Sequence, residues 1–234
     1  MGKLYLKDFS IEITRRCNMV CAHCLRGDAE ALDIDHRHIR NVLRHIRHIQ
    51  HFNITGGEPS LNVKAIRYIL TQLRSFGITV NHFDLTTNGS LSSMSPEFIG
   101  VCAQLYDYQE EDQSYGGQML DMSDDRFHDA THRNEVIEAY SSYPFFGPRG
   151  QSEDMFLIRE GRSAEGYPNP VHPIYLTGSD YVYGDVYLNA QGMILGNGNL
   201  SYLRQRDHVL CSSGNFLKYL KTTERLNEPF TQKL

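Results

Sequence analysis

No apolar run in this chain approaches the roughly 20 residues that a membrane-spanning helix requires. The first residues, Met1-Gly2-Lys3-Leu4-Tyr5-Leu6, carry no signal-peptide stretch, and Leu6 breaks the myristoylation pattern. Positive charge is scarce as well: 23 Lys and Arg against 28 Asp and Glu leave a formal net charge of −5 with His neutral. That balance argues against nonspecific binding to nucleic-acid phosphates. There is no Walker loop and no His-x-Glu pair, which removes P-loop nucleotide chemistry and zinc deamination. No internal repeat or low-complexity tract marks a solenoid. These absences leave the expectation of a cytoplasmic protein with no membrane partner.

What is present is globular composition, 40% hydrophobic and 22% charged over 234 residues, enough for one substantial core without disulfides. Tyr5 to Thr14, with Leu6, Phe9, Ile11 and Ile13, reads as a first strand. Ile39, Val42, Leu43, Ile46 and Ile49 recur at three- and four-residue spacing, which predicts a helix over 34–49 with Asp33 or Asp35 at its start. Short strands follow at 52–55, 80–87, 118–123 and 155–158. Between them helices are expected over 63–76, closed by Gly77, over 96–106, with Ser95 as N-cap and Pro96 at the first helical position, and over 134–140. Strands alternating with helices at this rhythm indicate parallel βαβ units with right-handed crossovers, and such folds place ligands at the carboxyl ends of their strands.

After about Gly147 the pattern changes. Tyr143 to Gly150 and Gly166 to Pro173 are rich in Pro and Gly and read as loops. Tyr181 to Leu188 and Gln191 to Leu195 read as a β-hairpin turning at Asn189-Ala190-Gln191-Gly192, followed by a terminal helix over 215–226.

Three of the five cysteines lie within eight residues, in Cys17-Asn18-Met19-Val20-Cys21-Ala22-His23-Cys24. Reduced cytosolic thiols so spaced point to metal or catalysis. Thiolate suits an iron–sulfur cluster or zinc. Three cysteines can anchor three irons of a [4Fe–4S] cube and leave the fourth open, whereas a closed zinc site asks for a fourth ligand.

The cysteine spacing after a first strand, then Thr55-Gly56-Gly57-Glu58-Pro59 after a second, resembles the radical S-adenosylmethionine (radical SAM) superfamily. Thr86-Thr87-Asn88-Gly89 at the third strand end adds to the resemblance, which spans roughly residues 5 to 165. It implies an α/β fold, a partial (β/α)6 TIM-like barrel of parallel strands over 1–165, with 166–234 as a closing hairpin and helix rather than an independent domain. It implies that Cys17, Cys21 and Cys24 ligate one [4Fe–4S] cluster whose open iron takes the amino and carboxylate groups of SAM. A flavodoxin- or ferredoxin-like electron donor would reduce that cluster. SAM would then yield methionine and a 5′-deoxyadenosyl radical that abstracts hydrogen from an unidentified peptide, small molecule or nucleotide. By the same resemblance Gly56, Gly57, Glu58 and Pro59 hold the methionine amino group, Ser123 and then Asp125 contact the ribose, and His23 stacks toward the adenine. Arg159 to Ser163 falls near the adenine, and Thr87 and Asn88 face the substrate.

Several features depart from that pattern. His23 stands where an aromatic residue usually precedes the third cysteine, and Gly196-Asn197-Gly198-Asn199 stands where auxiliary-cluster cysteines would begin. Leu25-Arg26 follows Cys24 where deazaguanine-forming members carry Asp-Thr. Cys102 reads as a packed core thiol, and Cys211 as the candidate hydrogen-atom donor. His36, His38, His45, His48 and His51 alternate with arginines and read as a solvated face, with His45 and His48 able to share a helix side. The alternative class is a non-catalytic iron–sulfur or zinc-binding regulatory or interaction module, for which a Gly-Gly-Glu-Pro turn has no use.

Overall fold

The computed structural model describes residues 3–110, 118–149 and 157–223. Along them run β1 (Leu4–Glu12), α1 (His36–Leu43), β2 (Ile46–Thr55), α2 (Val63–Phe76), β3 (Thr79–Thr87), α3 (Pro96–Tyr106), β4 (Leu120–Ser123), α4 (Arg133–Ala139) and β5 (Phe146–Arg149). The later part adds β6 (Tyr175–Leu176), β7 (Tyr181–Leu188), β8 (Met193–Leu195), β9 (Cys211–Ser212) and α5 (Phe216–Thr222).

The sheet is ordered β5-β4-β3-β2-β1-β7-β8-β9, with β6 paired to β7. Every pairing from β5 to β7 is parallel, and β8 and β9 continue the sheet antiparallel. The path ends at β5 and β9, so the sheet is an open partial barrel. Among the described residues six strands run parallel along this path. The sixth, β7, lies beside β1 rather than beyond β5, so residues after 180 join the middle of the sheet.

Register sorts the side chains onto two faces. Phe9, Phe52 and Phe83 sit side by side, as do Ile11, Ile54 and Leu85. They meet Ile39 and Val42 of α1, Ile66, Ile69 and Leu73 of α2, and Phe98 and Val101 of α3 in one core. On the opposite face Ser10, Asn53 and Asp84 are neighbours, with Glu12 beside Thr55 and Asp8 beside both His51 and Asp185. The alternation within each strand, period two, makes this division.

The helix starts follow local chemistry. Asp35 accepts from the Arg37 N–H, Asn62 from Ala65, and Ser95 from Phe98 ahead of Pro96; Gly77 ends α2 at φ 63°. The helix expected over 34–49 stops at Leu43, and Ile46 and Ile49 belong to β2 instead. Their three-residue spacing misleads because β2 carries an extra residue at Arg47, which puts both isoleucines in the core: Leu4 pairs with Ile46 but Tyr5 with His48. His45 and His48 therefore share no helix side; His48 Nδ1 meets Thr79 Oγ1 at 2.6 Å and His51 meets Asp8 at 3.0 Å.

Phe146–Arg149 lies in the segment expected to be a loop, yet it forms a strand. Pro148 is tolerated there because β5 is the sheet edge, where a missing N–H breaks no ladder. Of the strand expected at 155–158, residues 155 and 156 lie outside the described residues, and Ile158 makes a single parallel bridge to Tyr167. The final helix covers Phe216–Thr222, and residues 224–226 of its expected span lie outside the described residues. Among the described residues no helix is long and apolar enough to cross a membrane.

Candidate active site

The cysteine loop leaves the carboxyl end of β1 and is pinched at its neck by a buried arginine. Arg15 is fully buried; its guanidinium donates to Glu12 at 2.7 Å, Glu30 at 2.9 Å and the Gln205 side-chain oxygen at 2.6 Å. The ring of Tyr202 covers it at 4.3 Å. Main-chain bonds from Arg15 to Leu32 (2.8 Å) and from Glu30 to Arg15 (3.0 Å) close the same neck. Glu12 also accepts from Tyr187 Oη, the Gln205 amide and the Ala190 N–H. Burial opposes its charge, but Arg26 and Arg15 hold its carboxyl below the usual range.

Gly56 and Gly57 lie against the base of this loop. The Gly57 N–H donates to the Thr14 carbonyl at 2.9 Å and the Glu58 N–H to the Arg16 carbonyl at 2.8 Å. A Cβ on Gly56 would collide with the Thr14 carbonyl, and one on Gly57 with that of Arg16. The glycines thus let two backbones touch where the sequence suggested an approach to a ligand. Pro59 opens a single 3₁₀ turn whose start is capped by Glu58. Glu58 is buried and accepts from Ser60 N (3.1 Å), Thr87 Oγ1 (2.8 Å) and Asn88 N (2.8 Å), so it ties the end of β2 to the end of β3. Burial holds its carboxyl above the usual range in spite of these bonds.

Thr87 and Asn88, expected on the substrate side, line the same cavity as the Gly56–Pro59 turn and are also tied into the loops around it. Thr87 is fully buried with its hydroxyl on Glu58. The Asn88 amide donates to Asn18 Oδ1 at 2.9 Å and reaches Cys17 Sγ at 3.8 Å, while the Asn18 amide donates to Ser90 Oγ at 2.8 Å. This side of the loop is therefore fixed by the end of β3.

The end of β4 reaches the third cysteine. His23 stacks on Phe127 with ring centroids 4.4 Å apart, and Asp125 lies 4.0 Å from its Nε2. Asp125 accepts from His128 at 2.8 Å and from the Phe127 N–H at 2.8 Å. Those bonds and the two histidines outweigh burial and hold its carboxyl below the usual range. Ser123 lines a cavity of about 410 Å³ together with the Gly56–Pro59 turn. Its polar wall also includes Ser10, Arg26, Asn53, Thr86, Asp185 and Tyr187.

The segment from Arg159 to Ser163, which the resemblance put near an adenine, packs against the cysteine loop: the Arg162 N–H donates to the Cys24 carbonyl at 2.9 Å. Cys211 sits on β9 opposite Ile194 and packs against the main core, away from the cavity wall; burial pushes its thiol up to about 11. Cys102 is fully buried in α3.

The donor set fits an iron–sulfur cluster. Cys17, Cys21 and Cys24 are all free and half-buried on one loop. Burial, with the other two cysteines adding to it, pushes the Cys21 thiol up to about 11. Among the described residues the three-donor group with atoms within 4.8 Å of one another is His23, Asp125 and His128, not the cysteines. Three thiols on one loop match three irons of one cluster, whereas a closed zinc site would ask for a fourth ligand.

No family model matches the chain. It is 34% identical over 80 residues to the putative protein YfkA of Bacillus subtilis (strain 168), an overlap covering 31% of this chain and 21% of YfkA. The chain thus spans about a fifth of that protein's length. Among solved structures it is similar in path to native anSMEcpe with bound AdoMet and Cp18Cys peptide, at 12% identity and TM-score 0.47, covering 94% of this chain and 80% of that one. It is also similar to Streptococcus suis SuiB bound to precursor peptide SuiA, at 14% identity and TM-score 0.40, covering 64% of this chain and 34% of that one. With TM-scores below 0.5, neither likeness bears on this chain's chemistry.

Nothing local foretells the Arg15–Gln205 bond, the Asn88–Asn18–Ser90 chain or the Arg162 contact, because each joins residues at least 70 apart along the chain. The cavity wall did leave a trace: Asp8, Ser10 and Glu12, then His51, Asn53 and Thr55, then His82, Asp84 and Thr86 put polar residues at every second position of three strands.

Proposed function

We propose that the chain is a radical SAM enzyme. The observation that carries the reading is the docking of the Gly56–Pro59 turn on Thr14 and Arg16, immediately before Cys17, at the carboxyl ends of β1 and β2. Cys17, Cys21 and Cys24 would hold one [4Fe–4S] cluster. With that cluster and SAM bound, reductive cleavage supplies methionine and a 5′-deoxyadenosyl radical able to take hydrogen from an unactivated C–H bond.

The chain's own residues hold and orient. Glu58 keeps the turn rigid against β3 by its three accepted hydrogen bonds, and the turn so held lines the cavity where it would meet an ammonium group. Ser123 on the cavity wall and Asp125 beside His23 would offer a hydroxyl and a carboxylate to a ribose diol. The polar wall of Ser10, Asn53, Thr86 and Asp185 supplies the positioning side of the reaction, which is what a protein contributes when a cofactor does the chemistry. The electron donor is external, and the substrate is a peptide or small molecule with polar groups to match that wall.

Cysteine-to-alanine substitution tests the assignment. Cys17→Ala, Cys21→Ala or Cys24→Ala each abolishes iron and sulfide retention after anaerobic reconstitution, and Cys102→Ala and Cys211→Ala retain both. Retention in any of the first three, or equal loss in the last two, removes this reading. Zinc bound in place of iron favours the non-catalytic module.

A further inference from the structure

The cysteine loop is held by a segment that its own neighbourhood in the sequence does not contain. Gly161 adopts φ +61°, and a Cβ there would collide with the Cys24 and Leu25 carbonyls and the Gly27 nitrogen. Only glycine lets this backbone press so closely on the loop. The next residue makes three bonds. The Arg162 N–H donates to the Cys24 carbonyl at 2.9 Å, its Nε to the Cys21 carbonyl at 3.0 Å, and its Nη1 to Asp28 Oδ1 at 3.0 Å. The same two carbonyls also accept the loop's internal turns, Cys24 N to Cys21 O and Gly27 N to Cys24 O, both at 3.2 Å. Arg162 therefore completes the hydrogen bonding of the backbone that carries two of the three thiols, from 141 residues beyond Cys21.

We propose that Gly161 and Arg162 form a clasp that presets the cysteine loop and fixes a positive charge beside the cluster it holds, so that Arg162 is a positioning residue setting how readily that cluster is reduced. This rests on the radical SAM reading above. The physical ground is that net charge and hydrogen bonding near the sulfurs are among the quantities that set iron–sulfur potentials. Reduction adds one negative charge, and a guanidinium held on the Cys21 carbonyl stabilises the product of that step. The side chain of Asp28 is 91% exposed while that of Arg162 is 24% exposed, so water screens the neutralising carboxylate more than it screens the cation.

The experiment is an EPR-monitored redox titration of the full chain after anaerobic reconstitution, with iron and sulfide counted for each variant. Arg162→Gln lowers the one-electron reduction equilibrium about tenfold, a shift of about 59 mV to more negative potential. Arg162→Lys, which keeps the charge, stays within about twofold of the parent. Asp28→Asn, at an exposed side chain that does not put folding at risk, shifts the equilibrium about twofold in the opposite direction. The proposal is overturned if the parent carries its cluster and neither Arg162→Gln nor Asp28→Asn moves the potential, or if Arg162→Gln changes only cluster content. A parent that assembles no iron–sulfur cluster overturns the radical SAM reading itself, and the clasp's redox role with it.

Discussion

On one face of β1, β2 and β3, Phe9, Phe52 and Phe83 lie in register, with centroid separations of 5.1 and 5.5 Å between neighbours. One residue further along the same strands, Ser10, Asn53 and Asp84 lie in register on the other side. The first set is dry and closed over by three helices; the second lines or underlies a cavity. Both rows obey the same period of two, so the strands can be rigid on one side because they need not be apolar on the other. The lesson is a division of labour: stability is concentrated on the helix face, and binding chemistry is concentrated on the cavity face. Glu12 and Arg15 are the exception, charged groups at the cavity end that also carry stability.

The comparison is broken most severely by emptying the helix face. Phe52→Ala removes the middle ring of the row and costs about 3–5 kcal/mol by urea unfolding, as large-to-small core changes do. Glu12→Gln comes next. It leaves buried Arg15 with the part-exposed Glu30 as its remaining carboxylate and costs about 3 kcal/mol. Because the folded carboxyl lies below its unfolded value, Glu12's contribution is complete above the unfolded pKa of about 4.3 and is lost as pH falls through the folded value. The parent therefore loses stability more steeply on acidification below that point than Glu12→Gln does, as measured by urea midpoints between neutral and acid pH.

Smaller effects sharpen the contrast. Asn88→Ala removes the bond to Asn18 and the amide beside Cys17, costs about 1 kcal/mol of stability, and lowers iron retention after reconstitution. Asn53→Ala, on the cavity wall, changes stability by no more than about 0.5 kcal/mol. Its effect falls instead on ligand: SAM or substrate binds about tenfold more weakly by equilibrium titration. An Asn53→Ala variant that unfolds more easily yet binds normally would reverse the assignment of the two faces.

Much of this was readable beforehand where the signal is local. Ser95-Pro96 and Asn88-Gly89 mark their boundaries by short-range chemistry, and Cys17, Cys21 and Cys24 fall on one loop because they are seven residues apart at most. Reading failed where two periods overlap or where a partner is remote. Ile46 and Ile49 fit a helix and a bulged strand equally well until β1 sets the register with its shift at Arg47. Gly147-Pro148 has loop composition, and only its edge position makes it a strand. Gln205 meets Arg15 across 190 residues, and no spacing rule reaches that far. The placement of β7 beside β1 has the same cause, since parallel pairing between distant strands leaves no mark in either segment alone.

The central claim is that this loop and turn cleave SAM by one-electron reduction. The most direct measurement is anaerobic incubation of the reconstituted protein with SAM and dithionite, with 5′-deoxyadenosine quantified by chromatography. The account predicts 5′-deoxyadenosine that depends on Cys17, Cys21 and Cys24 and on reductant. A fully loaded, reducible cluster that releases none would contradict it.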